Sequence, residues 1–141
     1  MVYDGIEPLI FITEYLETNE NGLNDYKFMC FNKQLKYVWV DSDRFIEHKR
    51  NFRNLDYKLE PFNMGNYKNF DNDPKPINYD KMLELANILC QEFDDYVRVD
   101  FYNVNGKIYF GELTFSSGSG IEFPNPREYN EIIGSQLELK K

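Results

Sequence analysis

The chain has 141 residues, 17% of them aromatic, two cysteines and a formal net charge of −8. This length suits one domain with a sizeable core, and 12 Phe and 11 Tyr argue against disorder. The acidic balance excludes a broad nucleic-acid surface, and the sequence has neither an apolar run near the length of a membrane span nor a basic-then-apolar signal pattern, so a cytoplasmic location is expected.

In chain order, residues 9–16, 26–31 and 35–40 read as strands, the last two joined through Asn32-Lys33-Gln34, which starts an antiparallel sheet. The one concentration of positive charge follows: Arg44, His48, Lys49, Arg50 and Arg53. Helical spacing would place Arg44 with His48, and Lys49 with Arg53, in i,i+4 pairs. A solvated helix face fits this cluster, and so does a site for triphosphate or an anionic sugar, because Arg forks bind such oxygens well. His48, the only histidine, is expected to complete a local hydrogen bond and is assigned no general-base role. Residues 63–76, rich in Asn, Asp, Pro and Gly, read as an exposed connection. Asn78 or Asp80 can cap a helix running to about Phe93, with Met82, Leu85, Ala86, Leu89 and Phe93 as its core stripe. Strands at 97–103 and 107–115 complete the sheet, and Pro126 before Arg127-Glu128-Tyr129 opens a short final helix. Cys30 and Cys90 fit reduced, buried thiols rather than a disulfide framework or a zinc site. The fold class is therefore α+β: a single domain over 1–141, an antiparallel sheet flanked by helices.

Residues 97–120 set Arg98, Asp100 and Glu112 among apolar strand neighbours. Carboxylates are seldom buried unless paired or bound to a cation. Which of them share a face depends on register. A two-residue Asn105-Gly106 turn would pair Asp100 with Gly111 and send Glu112 to the opposite face, mixing charged and apolar side chains. A type I turn over residues 103–106, with Gly106 at positive φ and a three-residue loop, would oppose Arg98 to Glu112 and Asp100 to Phe110. Val97, Val99, Phe101, Tyr109, Leu113 and Phe115 would then form the core surface, with Thr114 joining Arg98, Asp100 and Glu112 on the other. This second register is the one expected. Such hard oxygen ligands suit Mg²⁺ bridging to phosphate. The plainer alternative is an Arg98–Glu112 ion pair on a solvent face, with Asp100 exposed beside it. The Ser116-Ser117-Gly118-Ser119-Gly120 run offers N–H and hydroxyl donors of the kind that cradle phosphate, or forms an ordinary turn.

The order Arg-x-Asp, hairpin, Glu-x-Thr and Gly-rich loop resembles the metal-binding hairpin of ATP-grasp enzymes. Flanking segments narrow the resemblance to the TupA-like ATP-grasp family over nearly the whole chain: Pro8-Leu9-Ile10-Phe11-Ile12-Thr13-Glu14-Tyr15-Leu16, Asp25-Tyr26-Lys27-Phe28, Asp43-Arg44-Phe45, His48-Lys49-Arg50-Asn51-Phe52 and Pro61-Phe62-Asn63-Met64-Gly65. The resemblance implies the C-terminal subdomain of the ATP-grasp fold, with ATP and Mg²⁺ as cofactors. It implies Asp100 and Glu112 as magnesium ligands, Thr114 at a place often held by Asn, and Arg98 as the catalytic cation near the transferred phosphate or tetrahedral intermediate. Thr13-Glu14-Tyr15-Leu16 stands where such enzymes carry a Glu-Glu-aromatic-Leu adenine hinge. Glu14, Tyr15 and Leu16 are thus expected at the adenine and Asp25 near the ribose, with Arg44, Lys49 and Arg50 orienting anions. The residues by themselves also allow a buried strand whose exposed end Glu14 marks.

The preceding half of the fold supplies a phosphate-binding lysine, a glycine-rich flap and part of the acceptor site in this family, and it is expected to be missing from this chain. A separate N-terminal half or a homo-oligomer is the implied macromolecular partner; a nucleotide and an anionic sugar or amino-acid substrate are the implied small ones. The implied activity is ATP-dependent carboxylate–amine ligation in cell-surface polysaccharide or teichuronopeptide biosynthesis. From a different class, the alternative is a noncatalytic remnant that serves as a nucleotide-binding or interaction module.

Overall fold

A computed structural model describes residues 5–16, 23–42 and 47–139. Its elements are β1 (Asp25–Phe31), β2 (Gln34–Ser42), β3 (Lys49–Asn54), β4 (Asn63–Met64), α1 (Tyr79–Cys90), β5 (Tyr96–Val104), β6 (Lys107–Thr114), a short 3₁₀ turn (Ser117–Gly120), β7 (Pro124–Asn125) and α2 (Tyr129–Gly134). Among the described residues the main sheet has five strands in the order β3-β2-β1-β5-β6, every neighbouring pair antiparallel, while β4 and β7 pair separately. The class is α+β, as the pattern of elements implied.

Strand alternation sorts the side chains. Tyr26, Phe28, Val38, Val40, Val99 and Phe101 turn to one face, where α1 covers them with Tyr79, Met82 and Ala86. Each such apolar side chain stabilises the fold by roughly 1.5–3 kcal/mol on burial. The opposite face is divided along its length. At one end Met29, Phe31, Trp39 and Phe52 pack under Phe62, Met64 and Ile133. At the other end the same face carries Asp25, Lys27, Asp41, Arg50, Arg98 and Asp100, all buried.

Three expectations are corrected. Residues 9–16 form no strand: their backbone makes no ladder, and Ile10 and Ile12 are 97% and 98% exposed. Apolar, β-prone residues mark a segment suited to pairing, but a strand exists only where a neighbour takes its backbone hydrogen bonds. The basic segment is a strand rather than a helix, so no Lys49/Arg53 helical pair arises; Arg44 lies outside the described residues. Its period is two. Arg50 and Phe52 point to the divided face, where Arg50 meets Asp41 and Phe52 meets Trp39, while Asn51 and Arg53 point to the other face and bond Asp73. Residues 63–76 are pinned rather than simply exposed, since Asp73 accepts from Arg53 Nε at 2.6 Å, Tyr57 OH at 2.6 Å and Asn51 Nδ2 at 2.9 Å.

Candidate functional site

The β5–β6 turn has two residues, not three. Val104 pairs with Lys107, and Asn105 and Gly106 take φ values of 52° and 87°. Such a turn alone would send Glu112 to the face opposite Asp100. A bulge prevents this: the register runs Tyr102↔Tyr109 and Phe101↔Phe110 on the turn side but Val99↔Leu113 and Arg98↔Thr114 beyond, so Gly111 and Glu112 together oppose Asp100. Gly111 permits the close approach, because a Cβ there would lie 3.0 Å from the Asp100 carbonyl oxygen. Arg98, Asp100, Glu112 and Thr114 therefore share one face by a different route from the one expected. Arg98 opposes Thr114 rather than Glu112, and Tyr109 joins the polar side rather than the core.

Their side chains form one connected group. Arg98 grips Asp100 with two bonds, Nε to Oδ1 at 2.7 Å and Nη2 to Oδ2 at 2.6 Å. The same Nη2 lies 3.1 Å from Glu112 Oε1 and 2.9 Å from Thr114 Oγ1, so all three sequence-derived metal ligands aim an oxygen at one point that a cationic nitrogen holds. Burial opposes the charge on Arg98, but the Asp100 contacts outweigh it and hold the guanidinium pKa above its ordinary value. Lys27 closes the other side, donating from Nζ to Asp100 Oδ2 at 2.8 Å and to Asp25 Oδ2. Burial raises the Asp25 carboxyl pKa in spite of that ammonium. The Ser/Gly loop reaches in through Ser117, whose Oγ accepts from Arg98 Nη1 at 3.3 Å and bonds the Tyr96 hydroxyl at 2.8 Å. Burial pushes Tyr96 up to about 12.

A second group sits across Trp39. Arg50 donates to Asp41 through Nε at 2.6 Å and Nη2 at 3.0 Å, and to the Met64 carbonyl through Nη1 at 3.2 Å. Its guanidinium lies 4.3 Å from the Trp39 ring centre and 4.2 Å from that of Tyr67. Trp39 also carries Arg98 at 5.0 Å, which makes the indole the divider between the two groups. His48 Nε2 is 3.2 Å from Asp41 Oδ1, within ion-pair reach but off hydrogen-bond alignment, and its ring lies 4.4 Å from Tyr67. Glu122 approaches Arg50 Nη1 at 3.5 Å.

Both groups line one open cavity of about 670 Å³, within the range of small-molecule sites. Six carboxylates on its walls, Glu14, Asp25, Asp41, Asp100, Glu112 and Glu122, face Lys27, Arg50 and Arg98, a formal excess of three negative charges with His48 neutral. The excess favours cations.

A family-model comparison matches residues 2–138 to TupA-like ATPgrasp. The chain belongs to the TupA-like ATP-grasp family. No curated protein and no solved structure matches it. Against the ATP-grasp pattern, the fold brings Arg98, Asp100, Glu112 and Thr114 together and sets Asp25, Arg50, Glu14 and Leu16 on the same cavity. Tyr15 is exposed and does not line the cavity, and neither does the half-buried Lys49, whose ammonium faces Glu47 at 3.6 Å. Among the described residues no group of three or more His, Cys, Asp and Glu side chains is arranged to hold a metal ion. Two carboxylates and a hydroxyl converging on a single cationic atom nevertheless match the hard oxygen donors that magnesium takes. Sequence reasoning missed Lys27, Asp41 and Glu122. Lys27 had a readable signal, since Asp25 and Lys27 alternate with Tyr26 and Phe28 on a strand that is otherwise apolar.

Proposed function

We propose that the polar half of this sheet face is the Mg²⁺-ATP site of an ATP-grasp-type carboxylate–amine ligase serving cell-surface polysaccharide or teichuronopeptide assembly. The observation that carries this reading is the convergence of Asp100, Glu112 and Thr114 oxygens on the position of Arg98 Nη2. Asp100 and Glu112, with Thr114, would hold magnesium, which neutralises and aligns phosphate oxygens when bound. Arg98 would stabilise charge on the phosphoryl or acyl centre, and Lys27 adds a second buried cation beside it. Asp25 would meet the ribose, and backbone groups near Glu14 and Leu16 the adenine, at the cavity rim. Exposed Ile10, Phe11 and Ile12 support a contact with a partner polypeptide, a separate N-terminal half or a second copy, that completes the site.

Titration calorimetry with Mg²⁺ and ATP on the wild type and on an Asp100→Asn/Glu112→Gln variant tests the site. Wild-type binding that the variant weakens by at least about 10-fold is expected; absence of binding by both proteins would remove the metal-site reading. One observation favours a second reading, a noncatalytic nucleotide-binding module: both Asp100 oxygens are already bonded to Arg98, and a metal must compete with that pair. ATP binding that needs no magnesium and survives the double substitution would select it.

A further inference from the structure

The far end of the cavity, across Trp39, plays no part in the nucleotide reading. The sequence suggested that its arginine serves anions. In the structure that arginine is engaged within the chain. Arg50 spends Nε and Nη2 on Asp41 and Nη1 on the Met64 carbonyl, and its guanidinium carbon lies close to the rings of both Trp39 and Tyr67. Its nitrogens are committed to acceptors of this chain, and the Asp41 pair is buried and bidentate. What this end presents to the cavity is Glu122 and His48, whose side chains are 23% and 24% exposed.

Glu122 is held in place from two sides. Arg50 Nη1 sits 3.5 Å from its Oε2, and Gly118 packs so closely that a Cβ there would lie 2.5 Å from Glu122 Cγ and 2.8 Å from Cδ. Gly118 is at φ 54°, in the left-handed region where glycine is at ease. His48 stands over Asp41, with Nε2 3.2 Å from Oδ1. Asp41 and Glu122 against Arg50 leave one net negative charge.

We propose that this end binds a protonated primary amine, with Glu122 as the carboxylate that receives the ammonium and His48 beside it. This assignment rests on the ligase reading for its role, which would be to hold the amino group of the acceptor. It does not rest on that reading for its chemistry.

Three sugars of similar size serve as probes: glucosamine carries an ammonium, N-acetylglucosamine is neutral and glucuronate is an anion. The single histidine supplies an unambiguous imidazole Hε1 signal for NMR. Glucosamine is expected to shift that signal saturably, with N-acetylglucosamine and glucuronate at least about 10-fold weaker and Glu122→Gln lowering glucosamine affinity by a similar factor. Gly118→Ala, which keeps the carboxylate but displaces it, is expected to weaken glucosamine as well and guards against a folding defect in the first variant. Failure of glucosamine to bind, equal or better binding of glucuronate, or an unchanged affinity in both variants would overturn the proposal. Mg²⁺-ATP titrated separately into the wild type reports on the ligase reading, so either can fail alone.

Discussion

Replacing Lys27 by methionine removes the ammonium that joins Asp25 to Asp100 while keeping a side chain of similar length and volume. Asp100 keeps both bonds from Arg98, so the loss falls mainly on Asp25. The Lys27, Asp25 and Asp100 side chains are all under a tenth exposed, so solvent screens little of the effect. Breaking a buried pair from one side costs about 3–5 kcal/mol, against a total stability of roughly 5–15 kcal/mol for a domain. The cost should depend on pH in a defined direction. Burial already raises the Asp25 pKa above 3.8 in the folded protein, and Lys27 is the group that restrains the rise. A raised carboxyl contributes stability that is full below its unfolded pKa and is lost as pH rises through the folded one. Without Lys27 the folded pKa climbs further, so the variant should lose most at pH 7 and recover part of the loss on acidification toward the unfolded value. Urea unfolding of wild type and variant at pH 7 and at about pH 5 measures both quantities. A loss below about 1 kcal/mol at pH 7, or one that is the same at both pH values, would refute the reasoning.

On the opposite face, Asp73→Asn keeps the shape but removes the charge that Arg53, Tyr57 and Asn51 share, and a stability loss of about 2–4 kcal/mol is expected in thermal melts; an unchanged midpoint would show that residues 63–76 are not pinned there. Cys30 and Cys90 are fully buried in one small cluster, and burial pushes the Cys30 thiol pKa up. Neither should react with a thiol-specific disulfide reagent at pH 7 in the native protein, and both should react once it is unfolded; a fast native reaction would contradict the packing.

Much of the sheet was legible because its strands carry their own signals. Residues 26–31 and 35–40 are rich in aromatic and β-branched types around a tight turn, and Met82, Ala86 and their neighbours repeat at helical spacing. The polar face of the β5–β6 hairpin was legible too, through three charged residues in apolar strands. Its register was not. A one-residue bulge at Gly111 leaves no mark on periodicity, and only the close approach to the Asp100 carbonyl explains why glycine stands there. The basic strand β3 was misjudged because every residue in it but Phe52 is polar, so no hydrophobic alternation marks it as a strand. Residues 9–16 have the composition of a strand and, among the described residues, no strand beside them.

By itself the sequence determined the fold class, the main hairpins and helix, the family, and the choice of Arg98, Asp100, Glu112 and Thr114 as a group, since these depend on local propensity and residue type. Tertiary structure alone decided which charges meet. Lys27 reaches Asp100 across 73 positions of chain, Asp41 captures Arg50 from the neighbouring strand, and Glu122 arrives on the far side of the Ser/Gly loop. Ion pairs act through distance in space and through burial, and neither is written in the order of residues along the chain.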